Sequence, residues 1–509
     1  MPSATVAAPG KTRSHLGLLL GFLLICRVIL MIAAPHTDTS ESRYAEIARK
    51  MVETGDWVTL QFDYHVPFWA KPPLSIWMSA AGIKLFGANE FGSRVFIFCG
   101  ALGVLAMVAR LGRREGGRTT GLAAAALLMG MPLFFYCSAA VMTDLALLIG
   151  TTMAMEGFRS AVARGSRRDG YWLFLGLAIG LLAKGPLVLV MAGAPIGGWM
   201  LLTGNWKKSW QAVPWITGTL LMLALAVPWY LMAEHRTPGF LDYFLVGEHW
   251  KRFTVKGWKG DLYGNAHAVA PGMIWVYFLA GTFPWCFGFL ALPFSRWREL
   301  RRWALADEAR GLYLVLWAAW PLVFFTTARN IIPTYPLPAL PALALLLAEI
   351  LVRRPALFWK RPNPLHPLLI TACGLMMIGT MAITFVCPDV SPKVSARDLI
   401  HRYQRERQPG DRLLYYGPRR YSAEFYSGGS VDHTASIPEI EARLAAPGRL
   451  FFVMPDEYMP ATLRARFRPI AKSGPETLYV KRAEECPAVP EVDRRGSASN
   501  APTGSITPP

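Results

Sequence analysis

The chain has 509 residues, of which 53% are hydrophobic and 18 are tryptophan, and it carries a formal net charge of +19. Such an apolar composition excludes an ordinary soluble protein of this length and indicates a polytopic α-helical membrane protein.

Hydrophobic segments predict about 11 transmembrane helices, because a helix needs roughly 20 apolar residues to cross the hydrocarbon core. A further apolar stretch, residues 72–86, is short and begins with two prolines, so we interpret it as an interfacial juxtamembrane helix; the alternative is a twelfth span. The candidate spans are residues 16–34, 93–112, 120–138, 141–158, 171–183, 186–203, 212–233, 271–293, 311–327, 333–352 and 367–387.

The first span is followed at once by the charged stretch "PHTDTSESRYAEIARKMVETGDW", residues 35–57. Its second half predicts a helix, because apolar residues recur at helical spacing through "RYAEIARKMVETG". Asp38 and Glu41 lie just before this helix, and the "TS" in front of Glu41 offers hydroxyls of the kind that cap helix N-termini. The sequence therefore predicts an ordered, charged element at the membrane surface.

Lys and Arg predict the orientation, since they collect in the cytoplasmic loops of membrane proteins. With the N-terminus inside, every predicted inner segment is basic. This distribution explains much of the positive charge as a topology signal that faces anionic membrane lipids, and nucleic-acid binding becomes an unnecessary interpretation. The inner basic residues are Lys11, Arg13, Arg110, Arg113, Arg114, Arg118, Arg159, Arg164, Arg167, Arg168, Lys207, Lys208, Arg296, Arg298, Arg301, Arg302, Arg310, Arg353, Arg354, Lys360 and Arg361.

The outer face then receives acids and bases from five separate segments. Each residue alone has an ordinary explanation, such as a snorkelling cation, a helix cap or an interfacial aromatic. Asp144 and Lys184 are stronger candidates, because an ionisable group within an apolar span is costly and often functional. The candidate residues are Asp38, Glu41, Arg43, Tyr44, Lys71, Asp144, Lys184, Glu248, His249, Arg252, Arg329 and Tyr335.

Carboxylates and cations at the outer interface suit the transfer of a group from a lipid-linked phosphate. The cations neutralise the phosphate that leaves, and one carboxylate accepts the proton of the attacking hydroxyl. The sequence contains no metal-ligand spacing such as CxxC. The chemistry therefore requires no cofactor, and a role for a divalent metal stays open.

The membrane-embedded domain is predicted to cover residues 1–387, with an outer catalytic loop at 35–92 and a second outer loop at 234–270. Residues 388–485 predict a small α/β domain outside the membrane. Its predicted helices are "SARDLIHRYQRERQ" and "YMPATLRARF", and its predicted strands are "RLLYYG", "RLFFVMP" and "TLYVKR". Residues 486–509 are rich in Pro, Ser and Gly and predict a disordered tail.

A series of motifs follows in order between about residues 15 and 352: "SESRYAEIARKMVETGDWVTLQFDYHVPFWAKPPLSIW", "LFGANEFGSR", "LLAKGPL", "VPWY", "YFLVGEHWKRF", "FPW" and "IIPTYPLPALPAL". The series resembles the protein mannosyltransferase-like, type C glycosyltransferases, and especially their bacterial branch with the lipid A aminoarabinose (4-amino-4-deoxy-L-arabinose) transferases. The resemblance implies a bacterial inner-membrane enzyme of the type C fold. Such an enzyme takes a sugar from a polyprenyl (undecaprenyl) phosphate, with inversion, and attaches it to an acceptor on the periplasmic side.

The resemblance also implies roles for the acidic residues. The family's acidic pair in the first outer loop falls on Ser40 and Glu41, so the first acid is missing. Glu41 is then the first candidate for the catalytic base, and Asp38, two residues before Ser40, is the second. A further acidic position of the family matches Asp144.

The family's donor phosphate contacts match Lys71, Arg252 and Tyr335, whereas a lysine of related chains appears here as Asn330, beside Arg329. The remaining residues expected to line the site are Arg43, Tyr44, Lys184, Glu248 and His249.

The acceptor implied by the aminoarabinose branch is lipid A or a related envelope glycolipid. Protein O-glycosylation with the same donor is the main alternative. A polymerase or ligase of lipid-linked glycans would share the donor chemistry, whereas a transporter would show paired repeats and midplane charges, which we do not detect in the sequence.

Overall fold

The structure is a computed structural model of the chain, and it describes residues 9–256, 258–263, 268–287, 297–353, 379, 395–445 and 449–481. The chain divides into two compact units. One comprises residues 1–397 and 420–429, and the other comprises residues 398–419 and 430–509.

The first unit is helical, apart from a small antiparallel hairpin of β1 (Gln61–Asp63) and β2 (Val66–Pro67). Within the long helix Trp297–Phe325, residues 306–309 leave the helical conformation. The helices are α1 (Pro9–Ala33), α2 (Ser40–Thr54), α3 (Leu74–Phe86), α4 (Glu90–Gly116), α5 (Arg118–Met129), α6 (Pro132–Cys137), α7 (Thr143–Arg164), α8 (Arg167–Lys184), α9 (Leu187–Thr203), α10 (Trp206–Ala212), α11 (Trp215–Arg236), α12 (Phe240–Asp242), a π-helix (Tyr243–Lys251), α13 (Arg252–Thr254), α14 (Met273–Thr282), α15 (Trp297–Phe325), a 3₁₀ turn (Leu337–Ala339) and α16 (Leu340–Arg353).

Most predicted spans coincide with described helices. Among the described residues, three helices are by themselves long and apolar enough to cross a membrane: residues 13–33, 90–116 and 215–236. The prediction of one continuous helix at 120–138 is wrong. The helix is interrupted between α5 and α6 at Gly130 and Met131, directly before Pro132. A proline fits the first turn of a helix but lacks the amide that would continue the preceding one.

Two other predictions concern elements near these spans. The helices predicted at residues 43–55 and 72–86 are confirmed as α2 and α3. The predicted span at 367–387 and the end of the span at 271–293 lie outside the described residues, as does the predicted tail at 486–509.

The first unit is held together by apolar packing and by the close approach of helix backbones. A large hydrophobic cluster joins α1, α4, α5, α7 and α16, with Leu23, Val104, Leu127, Leu148 and Leu345 among its buried members. Since the cluster gathers residues from distant parts of the sequence, it fixes the helices that carry the outer loops.

Helices α7 and α8 pack with their backbones almost in contact. A Cβ added at Gly150 would lie 2.6 Å from the carbonyl oxygen of Gly176, and one at Gly176 would lie 2.5 Å from the backbone nitrogen of Ala154. Small residues allow such approach between membrane helices. This packing brings Asp144, at the start of α7, beside Lys184, at the end of α8.

From Arg397 onward the elements are α17 (Arg397–Glu406), β3 (Arg412–Tyr416), α18 (Tyr421–Ser427), β4 (Val431–Thr434), α19 (Ile437–Ala445), β5 (Leu450–Pro455), a 3₁₀ turn (Asp456–Tyr458), α20 (Ala461–Arg466), β6 (Phe467–Ser473) and β7 (Glu476–Lys481). In the second unit the strands form one sheet in the order β4-β3-β5-β7-β6. Strand β3 runs parallel to β4 and β5, and β7 runs antiparallel to β5 and β6.

The predicted strands β3, β5 and β7 and the predicted helices α17 and α20 are confirmed. The edge strands β4 and β6 were not predicted, because their polar and apolar residues alternate only weakly. Strand β6 also contains Pro469, and proline is tolerated only at an edge or a bulge of a sheet. Helix α18 belongs to the first unit, because residues 420–429 cluster there.

Candidate active site

A cavity of about 340 Å³ lies in the first unit, and we call it the cationic cavity. It brings together side chains from the first and second outer loops, the end of α8 and the segment that follows α15. The candidate residues that line it are Lys71, Lys184, Glu248, His249, Arg252 and Tyr335.

Glu248 connects two of the cations in this cavity. Its carboxylate lies 2.8 Å from the Nζ of Lys71 and 3.0 Å from a guanidinium nitrogen of Arg252. Burial would raise the pKa of Glu248, but Lys71 and Arg252 lower it below its ordinary value. The carboxylate is therefore ionised at neutral pH and fixes both cations at the cavity wall.

Lys184 is the third cation of the cavity, and it is also paired. Its Nζ lies 2.7 Å from the Oδ1 of Asp144 and 4.5 Å from the centroid of the Tyr335 ring. Both members of the pair are buried, so each compensates the charge of the other. Asp144 thus holds Lys184 in place beside the cavity.

The ring of His249 is fixed by backbone oxygens. Its Nδ1 lies 2.7 Å from the carbonyl oxygen of Phe244, and its Nε2 lies 3.1 Å from that of Lys184. Burial lowers the pKa of His249, although the contacts of the ring with the two carbonyl oxygens act against this shift. His249 therefore adds a ring to the cavity that the backbone holds in position.

The other side of the cationic cavity is apolar. Its lining includes Leu187, Val190, Phe253, Phe324 and Phe325. The cavity therefore combines three cations and one carboxylate with a hydrocarbon wall. This combination fits an amphiphile with an anionic head and an apolar chain.

A second cavity, of about 490 Å³, is lined by the start of the first outer loop, and we call it the loop cavity. Residues 37–41 form its polar side, and Met142, Tyr277 and residues 331–334 form much of the rest. The segment 330–335 lines both cavities, because Asn330 and Tyr335 face the cationic cavity and the residues between them face the loop cavity. One short segment therefore separates the two.

Asp38 lines the loop cavity and is held by Ser422. The Ser422 backbone amide donates to Asp38 Oδ1 at 2.9 Å, and the Ser422 hydroxyl donates to Oδ2 at 2.5 Å. Burial raises the pKa of Asp38 above its ordinary value, although the bonds from Ser422 and the charge of Arg420 act against this shift. A carboxylate with a raised pKa is a better proton acceptor than an ordinary one.

Glu41 lines the same cavity but is committed to other partners. Its Oε1 lies 2.8 Å from the guanidinium of Arg94, and its Oε2 accepts from the amide of Thr37 at 3.1 Å. Burial would raise the pKa of Glu41, but Arg94 and its other partners lower it to about 2. The expected hydroxyl cap from Thr39 is not formed.

Besides Asp144, three candidate residues lie outside the lining of both cavities. Arg43 lies over the rings of Tyr44, Phe68 and Tyr421, at 5.5 to 5.9 Å from their centroids. Tyr44 is buried, and Arg329 is exposed. Arg43 and Tyr44 therefore support the outer loop, and Arg329 is not part of the cationic cavity.

The structure adds two residues, Asn330 and Arg94, to which the sequence assigned no contact in the site. Asn330 lines the cationic cavity and donates its side-chain amide to the carbonyl oxygens of Arg252 and Val255, at 2.6 and 3.0 Å. Arg94 ends the motif "LFGANEFGSR", but its partner Glu41 lies 53 positions earlier, so spacing alone gave no signal. In the part of the chain that the structure describes, no group of three or more His, Cys, Asp or Glu side chains is arranged to hold a metal ion.

Comparison with known proteins agrees with these features. The family model of dolichyl-phosphate-mannose-protein mannosyltransferases matches residues 23–244. An undecaprenyl phosphate-alpha-4-amino-4-deoxy-L-arabinose arabinosyl transferase of Erwinia tasmaniensis is 32% identical over 61% of this chain and 54% of its own length. A second such transferase, from Sodalis glossinidius, is 32% identical over 65% of this chain and 59% of its own. The chain thus spans between half and two thirds of these relatives.

The crystal structure of ArnT from Cupriavidus metallidurans bound to undecaprenyl phosphate resembles this structure with a TM-score of 0.72 and 19% identity, covering 92% of this chain and 98% of that one. The apo state of the same protein gives a TM-score of 0.71 and 18% identity. At this identity the likeness shows the fold, which is the polytopic membrane fold of the type C glycosyltransferases.

The chain is accordingly a multi-pass membrane protein. The resemblance predicted from its motifs is confirmed, because it is similar to the protein mannosyltransferase family and, within that family, to the undecaprenyl phosphate-aminoarabinose transferases.

Proposed function

We propose that this protein is an inverting glycosyltransferase that moves a sugar from undecaprenyl phosphate to lipid A or a related envelope glycolipid. The cationic cavity carries the proposal, because its three cations adjoin an apolar wall, as the head and chain of a polyprenyl phosphate require. The names of the relatives support the donor and the sugar class. ArnT, which shares the fold, was crystallised with undecaprenyl phosphate.

In this reaction the bond between the anomeric carbon and the donor phosphate breaks, and undecaprenyl phosphate leaves with the bonding electrons. Lys71, Lys184 and Arg252 stabilise the negative charge that develops on the phosphate. The acceptor oxygen attacks from the opposite face of the sugar, so the configuration inverts. A phosphate is a good leaving group, and one base therefore suffices.

We propose Asp38 as the base, ahead of Glu41. Both residues line the loop cavity. Glu41 is a poor proton acceptor because its salt bridge with Arg94 stabilises the ionised form, whereas burial favours proton uptake by Asp38. The acceptor hydroxyl would enter the loop cavity and give its proton to Asp38.

We further propose that the chain forms about 11 spans in the bacterial inner membrane, with the outer loops and the second unit in the periplasm. The distribution of Lys and Arg supports this orientation. Residues 1–387 would then be the membrane domain, 388–485 the periplasmic domain and 486–509 a tail.

The donor assignment is tested with purified protein, undecaprenyl-phosphate-linked aminoarabinose and lipid A. We expect Lys71→Ala to lower turnover by about a hundredfold, because it removes one charged contact to the leaving phosphate. Lys71→Arg should restore little, since a planar guanidinium does not replace an ammonium. Lys84→Ala is the matched control, because Lys84 is a lysine of α3 that does not line either cavity.

The acceptor is tested by mass spectrometry of lipid A from cells with and without the protein. A mass difference of one aminopentose on lipid A supports the proposal. Unchanged lipid A together with a glycosylated envelope protein would show that the acceptor is a protein. In the donor test, wild-type turnover of the Lys71→Ala variant would show that Lys71 does not contact the donor phosphate.

A further inference from the structure

The segment Arg420–Gly429 lies between two parts of the second unit in sequence, yet it clusters with the first unit. Two contacts attach it to the opening outer loop and α2. The hydroxyl oxygen of Tyr426 accepts from the backbone amide of His36 at 2.9 Å, and Glu424 lies 3.7 Å from the Nζ of Lys50. The segment is therefore held beside the residues that line the loop cavity.

Within this segment, Ser422 contacts both oxygens of the Asp38 carboxylate. Its backbone amide donates to one oxygen at 2.9 Å and its hydroxyl donates to the other at 2.5 Å. The two residues are 384 positions apart, so the contact arises from tertiary structure alone.

The direction of the Ser422 hydroxyl is also determined. The backbone amide of Ala396 donates to the Ser422 Oγ at 3.0 Å. A hydroxyl has one proton to donate, and its oxygen accepts through lone pairs. Because an ionised carboxylate has no proton, the Ser422 hydroxyl donates its single proton to Asp38 while its oxygen accepts from Ala396.

The charged groups around Asp38 come from three elements. Arg420, just before α18, lies 3.6 Å from Asp38 Oδ2. Glu41, on α2, is neutralised by Arg94 of α4. Burial and the charge of Arg94 lower the pKa of His36 to about 3, so this ring is neutral at physiological pH.

We propose that Ser422 is a positioning residue for the reaction: it orients the Asp38 carboxylate toward the loop cavity and keeps it ready to accept the acceptor's proton. This inference rests on the proposed function. A carboxylate has about four acceptor sites, of which Ser422 occupies two, and Asp38 lines the loop cavity that an acceptor hydroxyl would enter. The two bonds also prevent the carboxylate from rotating away from the cavity.

The test replaces Ser422 and follows Asp38 by two independent measurements on the full-length protein. The first is the pH at which dicyclohexylcarbodiimide labels half of Asp38, read by mass spectrometry, since this reagent modifies protonated carboxyl groups. The second is the pH profile of kcat for transfer from undecaprenyl-phosphate-linked aminoarabinose to lipid A.

We expect Ser422→Ala to raise the half-labelling pH and the acid limb of the kcat profile by about one unit, because a hydrogen bond to the ionised form is lost. kcat should fall about tenfold while KM for the donor stays unchanged. Ser422→Thr, which keeps the hydroxyl, should restore both readouts. Ser422→Cys should give an intermediate shift, and it decides the question if the alanine variant does not fold.

Ser427→Ala is the matched control, because Ser427 is a buried serine of the same helix that donates to the Glu424 carbonyl oxygen. An unshifted half-labelling pH in Ser422→Ala, or an equal shift in Ser427→Ala, would overturn the proposal. If the wild-type protein transfers no sugar, the proposed function fails, and the labelling experiment still decides whether Ser422 controls Asp38.

Discussion

Three carboxylates near the two cavities differ in the groups that hold them. Asp38 is bound by Ser422 at 2.5 Å and has the guanidinium of Arg420 at 3.6 Å, whereas Arg94 pairs with Glu41 at 2.8 Å and Lys184 pairs with Asp144 at 2.7 Å. A carboxylate paired with a buried cation is stabilised in its charged form and accepts a proton poorly. Three carboxylates that the sequence alone does not distinguish therefore differ in the partners that stabilise their charged form.

Single-turnover transfer with Asp38→Asn, Glu41→Gln and Asp144→Asn separates these roles. Asp38→Asn should lose about a hundredfold to ten-thousandfold in rate with donor binding retained, because it removes the base. Asp144→Asn should weaken donor binding instead, since it leaves Lys184 unpaired. If Asp38→Asn has a normal rate and Glu41→Gln folds normally but is inactive, Glu41 is the base instead.

Glu41 should control stability at low pH. Because its pKa in the folded protein is lowered from 4.5 to about 2, its contribution to the free energy of unfolding is complete above pH 4.5 and is lost as the pH falls toward 2. Thermal unfolding in detergent should therefore show a steeper loss of stability from pH 5 to about pH 3 in wild type than in Glu41→Gln.

At neutral pH the same variant should be less stable by about 3 kcal/mol, because Arg94 loses its charged partner. Glu53→Gln is the control, since Glu53 is an exposed residue of α2 that also pairs with an arginine. Equal pH profiles for wild type and Glu41→Gln would show that the salt bridge does not stabilise the folded protein.

Arg27 illustrates how a buried charge can serve structure rather than catalysis. It lies in the first span, and its guanidinium donates to the carbonyl oxygens of Phe135 and Tyr136 at 2.7 and 2.9 Å. These carbonyls belong to the last turn of α6, where no intrahelical donor is available. Arg27 therefore caps a helix that ends inside the membrane unit.

At the level of elements, the site depends on two unusual pieces of backbone. The π-helix Tyr243–Lys251 places Glu248 and His249 in the cationic cavity, and π-helices are rare and common at functional sites. The close packing of α7 and α8 brings Asp144 and Lys184 together.

Gly176→Val should separate α7 from α8, because a side chain there would meet the backbone of Ala154 and Gly150. We expect a loss of stability of a few kcal/mol and weaker donor binding, since Lys184 and Asp144 move apart. Gly103→Val is the matched control, because a Cβ at Gly103 of α4 meets no atom within 4 Å. Thermal unfolding and undecaprenyl phosphate binding measure the effect; equal behaviour of both variants would contradict it.

At the level of the whole molecule, ion pairs with buried carboxylates link neighbouring helices. Glu156 of α7 is bound by Arg110 and Arg114 of α4, at 2.7 and 3.1 Å, and Glu349 of α16 is bound by Arg310 of α15 at 3.0 Å. Basic residues of the segments that are predicted to face the cytoplasm thus also link helices to one another.

The orientation gives a prediction for the intact protein. Alkaline phosphatase, which is active only in the periplasm, should be active when inserted after Gly239 and inactive after Gly204, because the adjoining segment with Lys207 and Lys208 stays inside. Both glycines are exposed and follow helices of the first unit. The opposite pattern would reverse the proposed topology and place the two cavities on the cytoplasmic side.

The sequence by itself determined the class of the molecule, most helices and the set of residues that meet in the cationic cavity, because composition, periodicity and ordered motifs are local properties. The tertiary structure decided which partners surround each carboxylate. Glu41 is paired with Arg94, 53 positions away, and Asp38 is held by Ser422, 384 positions away. The chemistry of a carboxylate depends on its neighbours in space, and pairings this distant leave no pattern in a single sequence.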